Sequence, residues 1–456
     1  MSLHSSVLWS LAILLACSAA EVAPAAQTAP IGVAKIDITP DCPVRLYGYD
    51  EYTFESQDVA GRLKAAALAI GGDEGDGSAV ILTVDNGAVP AEMRAEVLRR
   101  VQARATLKPE RFMLCSAHIH SGPNLQEMDS TSGVQHEHLV QYRKELLDRM
   151  ERVVLQALAS RRPGRLAWTQ GSVGFAGNRR TLENGKWVRF GKYDKGPVDR
   201  SLPLLRVTDA DGKLLAVLIN YACHNTTLRG NNKQIHGDWA GCAQEFIEAG
   251  HPGAIAMIAI GCGADSDPYP NGSVELCRQH GHAVADEVQR LLAGPLKPVE
   301  PKVTARATVL TLPYGASPDI DRLKALAKDS YIAGDVLNRL GPERKRPAAE
   351  KYPLAAWTFG DDLAMVFLGD EVVVDYALRM KREFDAGRLW INAYTNDVSF
   401  YIESKRLLKE GGYEVNNSLS TAVTYGWPER LRPAMEDRIV ETLRTLLPKG
   451  FLSPAK

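Results

Sequence analysis

Three times along the chain a short apolar run bounded by turn residues is followed by an amphipathic stretch and then by a second apolar run. This repetition constrains the fold of the 456 residues more than any other feature. Ser78 to Asp85 (SAVILTVD) is the first run. Pro90 then opens AEMRAEVLRRVQARA, in which Met93, Val97, Leu98 and Val101 recur at helical spacing, and Arg111 to Cys115 follows. The pattern returns as Leu214 to Cys223, a helix over Ala240 to Ala249, a strand over Ala254 to Ile260 and a helix over Val274 to Leu292. It returns again as Leu363 to Leu368, Glu371 to Phe384 and Leu389 to Ala393. Strands separated by helices predict an α/β fold of mixed β-sheets flanked by helices, with an active site at the C-terminal ends of the strands.

The rest of the chain is organised around that unit. Val7 to Ala16 is an apolar run of ten residues, short of the roughly 20 needed to cross a bilayer and similar to the core of a signal peptide. Two cleavage patterns compete, Ser18-Ala19-Ala20 before Glu21 and a lipoprotein-like Leu14-Leu15-Ala16 before Cys17. Residues 1–20 are therefore expected to be an export signal and 21–30 an Ala/Pro-rich tether, with one large domain over 31–456. The destination is periplasmic, extracellular or a surface-anchored lipoprotein, and a lipid on Cys17 would give peripheral membrane association. A charged insertion is expected around 301–358; it holds Glu343-Arg344-Lys345-Arg346-Pro347, read as a solvated face, and a helix around Asp319 to Lys328. The 54 basic against 55 acidic side chains leave no broad cationic surface, which excludes nucleic acid as a partner. Beyond Cys17 the cysteines are Cys42, Cys115, Cys223, Cys242, Cys262 and Cys277, without a CxxC pair. Two readings stay open for them: disulfides, or buried reduced side chains.

Polar side chains of ligand grade stand directly after each expected strand. Arg111–Cys115 leads to Ser116-Ala117-His118-Ile119-His120-Ser121-Gly122-Pro123, and Leu214–Cys223 to His224-Asn225-Thr226-Thr227. Ala254–Ile260 leads to Gly261-Cys262-Gly263-Ala264-Asp265-Ser266-Asp267-Pro268, Leu363–Leu368 to Gly369-Asp370-Glu371, and Leu389–Ala393 to Tyr394-Thr395-Asn396-Asp397 and Tyr401. Five such ends predict one shared site. An extended His-X-His places both imidazoles on one face, and imidazoles with a carboxylate and an open position suit zinc. Cys223 would face away from His224 into the core. Gly261-Cys262-Gly263 lacks P-loop and dinucleotide spacing and serves close backbone approach. A cysteine nucleophile is the minor alternative.

In this order the motifs resemble the catalytic domain of the neutral/alkaline (non-lysosomal) ceramidases, particularly its shorter bacterial relatives. The likeness runs from Gly32-Val33-Ala34-Lys35-Ile36-Asp37-Ile38-Thr39-Pro40 to Gly411-Gly412-Tyr413-Glu414. AHIHSGP looks like the family's THTHSGP, which makes His118 a zinc ligand and His120 a lining residue. YACHNTTL brings His224 as the second zinc histidine, followed by Gly237-Asp238. Glu371 matches the glutamate of a Gly-Glu motif, with Asp370 in place of glycine. NDVSFYI makes Tyr401 the fourth ligand, GGYE makes Tyr413 a contact to the substrate amide, and FAGNRR places Asn178 and Arg179 in the same pocket. Aligned on Pro268, Asp267 replaces a serine implicated in catalysis, and the β-sandwich domain of full-length ceramidases is expected to have no counterpart.

The resemblance implies a zinc-dependent amidohydrolase with one Zn²⁺ per chain, in which water activated by the metal attacks an amide of an N-acyl lipid. His120 would relay a proton, Arg179 and Tyr413 would stabilise the oxyanion, and Asp265 or Asp267 would orient the water or fix a histidine tautomer. The alternatives are a zinc hydrolase for another amide or an ester, and a non-catalytic surface binding protein that keeps the fold.

Overall fold

The computed structural model describes residues 27–49, 51–125, 133–313, 349–418 and 432–453, with isolated positions between 321 and 337. The expected export signal, Cys17, most of the tether, the Glu343–Pro347 run and most of the Asp319–Lys328 helix lie outside the described residues.

Two mixed sheets form the centre. The first contains β1 (Ala29–Asp37), β2 (Lys64–Ile70), β3 (Ala79–Val84), β4 (Phe112–Ser116), β5 (Arg162–Ser172), β9 (Ser201–Asp209), β10 (Leu214–Tyr221) and β11 (Ile255–Ile260). Their order is β11-β10-β9-β5-β1-β2-β3-β4, with β13 (Lys297–Val299) also pairing β5. Between β5 and β9 lie β6 (Ala176–Asn178) and the hairpin β7 (Arg180–Glu183) and β8 (Lys186–Phe190); β12 (Ser266–Pro268) pairs β6. The second sheet runs β14 (Val303–Pro313), β15 (Ala349–Phe359), β16 (Leu363–Leu368), β18 (Leu389–Asn392), and β17 (Glu371–Val372) pairs β19 (Tyr401–Ile402) beside it. The helices are α1 (Ala91–Gln102), α2 (Gly133–Ala159), α3 (Asp238–Gly250), α4 (Val274–Ala293), α5 (Val374–Glu383), α6 (Lys405–Glu410), α7 (Tyr413–Asn416) and α8 (Arg432–Leu446).

Each of the three sequence repeats becomes a crossover between parallel neighbours: β3-α1-β4, β10-α3-β11 and β16-α5-β18. Helix α1 begins directly after Pro90, carries Glu92 in its first turn and Arg99 and Arg100 in its last, and so complements its own dipole. Ser273 caps α4, its hydroxyl accepting from the Leu276 amide at 3.3 Å.

Strand alternation sorts the apolar residues into four layers. In β2, Ala65, Ala67 and Ala69 join the core beneath α1 and α2, whereas Ala66, Leu68 and Ile70 face the second sheet. In β10 and β11, Val217, Ile219, Ile258 and Ile260 pack on α3 and α4; Leu218 and Met257 point the other way. The second sheet answers with Trp357, Phe359, Met365, Phe367 and Trp390 toward the first, and with Leu354, Val366 and Leu368 toward α5 and α8. A period of two thus places every second residue in one of two dry interfaces. The expected α/β class with helices flanking mixed sheets is what the structure shows.

Two details differ from expectation, and one open reading is decided. The helix expected from Glu371 starts only at Val374, because Glu371 and Val372 pair with Tyr401 and Ile402. The ends of the charged stretch, 303–313 and 349–359, are paired strands of the second sheet. Cys42, Cys115, Cys223, Cys242, Cys262 and Cys277 are all free thiols, five of them buried, so the reduced reading holds. Among the described residues no helix is long and apolar enough to cross a membrane.

Helices α3 and α4 touch through Gly281, where a Cβ would sit 2.5 Å from that of Cys242 and 2.8 Å from the Ala243 nitrogen. Gly281→Ala gains about 1 kcal/mol of helix propensity, but the backbone overlap costs about 1–3 kcal/mol. Thermal denaturation should therefore show a net loss, a Tm lower by a few degrees; an unchanged or raised Tm would contradict this packing.

Candidate metal centre

The five strand ends are stitched into one locus by backbone hydrogen bonds. The His120 amide donates to Asn225 O (3.3 Å) and the His224 amide to Ser266 O (3.0 Å), which joins the loops after β4, β10 and β11. The Glu371 amide donates to Phe400 O (2.9 Å), Tyr394 to Asp370 O (3.1 Å) and Ser116 to Tyr394 O (3.0 Å), which ties in the second sheet. His118, Asp370 and Tyr394 have φ of +54°, +65° and +53°, a region that non-glycine residues enter at a cost and that concentrates at functional sites. The two imidazoles of His118 and His120 therefore converge through a left-handed turn and not through the extended alternation expected from His-X-His.

Ligand atoms of His118, His120 and His224 lie within 4.8 Å of one another, and all three side chains are buried. His118 Nδ1 is 2.8 Å from Gly87 O, and His224 Nδ1 is 2.9 Å from Gly263 O. A carbonyl only accepts, so both Nδ1 atoms carry the proton and both Nε2 atoms present lone pairs. Glu371 Oε2 stands 3.2 Å from each of those Nε2 atoms and has no hydrogen-bond donor. Three acceptors facing one another away from water repel unless a cation lies among them, so this donor set fits a metal ion. Burial, then His118 and His224, lowers His120 well below an ordinary histidine, and burial, then Arg179, lowers His224, so both are neutral at pH 7.

Arg179 links this centre to the remaining candidates. It donates from Nε to Glu414 (3.0 Å), from one terminal nitrogen to Asp267 (3.3 Å) and toward His224 Nε2 (3.2 Å), and from the other to the Tyr401 hydroxyl (3.2 Å). Asp267, at the position where the family pattern has serine, also accepts from Thr226 Oγ1 and Arg229, each at 3.3 Å. Burial raises its carboxyl, but Arg179, His224 and Arg229 outweigh that and leave it lowered. Asp265 faces away from the imidazoles. It accepts from Asn178 Nδ2 (3.1 Å), Arg406 (3.1 Å) and the Val374 amide (2.8 Å), tying β6 to the start of α5. Tyr413, half-buried, sets its ring edge-on to Tyr401 at 5.7 Å and Phe190 at 5.0 Å.

Asp370 stands where the motif resemblance implies glycine. Its φ suits glycine, and the carboxylate compensates by accepting from the Ser399 amide (2.7 Å) and the Phe400 amide (3.2 Å). Gly237-Asp238 lies apart from the imidazoles; Asp238 accepts from the Thr227 and Leu228 amides and so fixes the segment after His224. At Gly263 a Cβ would meet the Cys223 nitrogen at 2.6 Å, the close backbone approach expected of the Gly-Cys-Gly segment. Burial pushes the Cys115 thiol up to about 12 and raises Cys223 and Cys262 above their ordinary value, which argues against a cysteine nucleophile.

Sequence reasoning missed Tyr47, Tyr49, Glu414 and the role of Tyr394. Tyr47 and Tyr49 set their rings edge-on to His120 at 5.4 and 5.0 Å. Glu414, fully buried, anchors Arg179 and Arg180 together. Tyr47 and Tyr49 precede the apolar runs and carry no local pattern. Glu414, adjacent to Tyr413 in GGYE, was the one with a signal: a lone carboxylate opposite an Arg-Arg pair.

An α/β sandwich with a buried His/Glu centre at its strand ends defines a candidate metal centre. Residues 30–285 match the family model of the neutral/alkaline non-lysosomal ceramidases, N-terminal part, and the chain belongs to that family. Its relatives include the neutral ceramidase of Pseudomonas aeruginosa, 26% identical over 230 residues (48% of this chain, 33% of that protein), and neutral ceramidase 2 of Arabidopsis thaliana, 28% identical over 225 residues (48% and 30%). The matched region thus spans about a third of the length of these relatives. The crystal structure of the Pseudomonas aeruginosa neutral ceramidase shares the fold over 94% of this chain and 76% of its own, with a TM-score of 0.68 and 20% identity. A structure described as a ceramidase complexed with C2 does so with a TM-score of 0.66 and 18% identity, over 94% and 77%.

Burial raises the Asp265 carboxyl to about 6 against the lowering by Arg406. A carboxyl raised in the folded state lends stability that is complete below the unfolded value near 4 and is lost as pH rises through about 6, on the order of 2–3 kcal/mol. Asparagine does not titrate. Melts of wild type and Asp265→Asn should therefore show the wild-type advantage shrinking from pH 4 to pH 6.5; a constant difference would refute the raised value.

Proposed function

We propose that this protein is a zinc-dependent amidohydrolase acting on an N-acyl lipid-type substrate. The observation that carries the reading is Glu371 Oε2 held 3.2 Å from the lone pairs of both His118 and His224, inside a chain of the ceramidase family. His118, His224, Glu371 and Tyr401 are the residues that would hold one Zn²⁺, whose borderline softness suits imidazole with oxygen ligands. Zinc bound there would lower the pKa of a bound water toward about 7 and polarise a carbonyl.

The chain's own side chains supply the rest. The Nδ1–H bonds to Gly87 O and Gly263 O fix the tautomer and angle of both ligand imidazoles. His120, neutral and with Nε2 3.2 Å from His118 Nε2, is placed to take a proton from the attacking water and return it to the leaving amine, a contribution of about 10²–10⁴-fold. Arg179, immobilised by Glu414 and Asp267, and Tyr413 present donors to the carbonyl oxygen as it gains charge. Asp267 acts by orienting Arg179, and Asp265 by fixing the Asn178 segment before it.

Asp267 also favours a second reading, hydrolysis of another amide or an ester, because a carboxylate paired with two arginines stands in the place of the family's serine.

Elemental analysis of the purified protein should find about one zinc per chain, lost in His118→Ala. Folded wild-type protein, purified without chelator and free of zinc, would falsify the assignment. N-acylsphingosine assayed beside simple amides and esters should separate the two readings, and Glu371→Gln should lower turnover of whichever is cleaved by at least about 10²-fold, since even outer partners of a metal are worth 10–100-fold.

A further inference from the structure

Tyr394 follows β18 and lies between two loops of the metal centre. Its amide donates to Asp370 O beside Glu371, and its carbonyl accepts from the Ser116 amide on the His118 loop. Both bonds hold it at a φ of +53°, a conformation a bulky aromatic residue avoids unless its surroundings impose it. The ring lies against His118, with centroids 4.4 Å apart and planes tilted by 37°, and its centroid is 6.2 Å from that of His224. The side chain is completely buried, yet its hydroxyl has no hydrogen-bond partner in the protein.

A buried hydroxyl with no partner is costly, and native structures rarely keep one without a use. Here it is one of several: His120 Nδ1 and Glu371 Oε2 of the same centre are also buried and unpartnered. A tyrosine serving only to pack on His118 would not need the oxygen, because phenylalanine fills the same space. A phenol keeps its proton at neutral pH and so remains a donor.

We infer that Tyr394 is a further catalytic residue, its hydroxyl donating a hydrogen bond to the carbonyl oxygen of the scissile amide or ester as that oxygen gains negative charge. The inference rests on the hydrolase reading above and deepens it. No proton is transferred: the O–H bond stays intact, and the donor adds to those of Arg179 and Tyr413.

The test is Tyr394→Phe, which removes one oxygen and leaves the ring on His118. Acetohydroxamate, whose paired oxygens mimic a hydrated amide at a metal, is titrated calorimetrically into metal-loaded wild type and variant. Loss of one hydrogen bond to a charged oxygen should weaken binding about tenfold at equal metal content and Tm. Equal affinity overturns the inference. On a cleaved substrate kcat should fall about 10–10²-fold with KM little changed; equal kcat also overturns it. Wild type that binds hydroxamate but cleaves nothing removes the hydrolase reading, while the titration still decides the hydrogen bond. Wild type that binds no hydroxamate removes both.

Discussion

One carboxylate oxygen and two imidazole lone pairs are pressed together where water cannot separate them, and much of the structure serves to keep them there. Burial alone would drive such acceptors apart or protonate one of them. They stay because neither imidazole can turn: each is pinned at Nδ1 by a backbone carbonyl, Gly87 in one case and Gly263 in the other. Those carbonyls belong to the segments after β3 and β11, so the two parallel pairs of the first sheet set the angles of both rings. Glu371 arrives from the second sheet, held by the short β17–β19 pairing. The centre thus exists only where the two sheets meet, and the packing of Trp357, Phe367 and Trp390 against Met113 and Leu68 holds that meeting place.

Charge around the centre is organised by the same economy. Arg179 and Arg180 enter side by side and are neutralised by Glu414 and Glu410, while Asp267 and Arg229 extend the network on the other side. Buried pairs of this kind add little net stability, since desolvation offsets attraction, but they fix geometry. Asp267 in place of a serine changes what that corner can do: a hydroxyl can donate, whereas this carboxylate only accepts and already takes donors from Arg179, Thr226 and Arg229. Asp370 in place of glycine changes nothing of the kind, because its side chain bonds the two amides that its own φ brings within reach.

Much of this was legible in the sequence. The three strand-helix-strand repeats gave the crossovers within one to three residues at most boundaries, since hydrophobic period reports directly on which face is buried. The strand-end positions of His118, His224 and Glu371 were readable because parallel strands deliver their C-terminal ends to one side. The boundary at Glu371 was not, because a two-residue pairing with Tyr401 overrides the local helical pattern. Nor were the strands at 303–313 and 349–359, whose charged neighbourhood concealed their alternation, or the left-handed turn that brings His118 and His120 together.

The sequence by itself determined the α/β class and which polar residues stand at strand ends, because alternation and helical spacing are properties of neighbours along the chain. Only the tertiary structure decided which of those residues meet. Tautomers depend on carbonyls from other strands, the clamp on Arg179 depends on Glu414 more than two hundred residues away, and the isolation of the Tyr394 hydroxyl depends on what does not reach it. Such relations are set by distance in space between segments that share no local pattern, and no period in the chain encodes them.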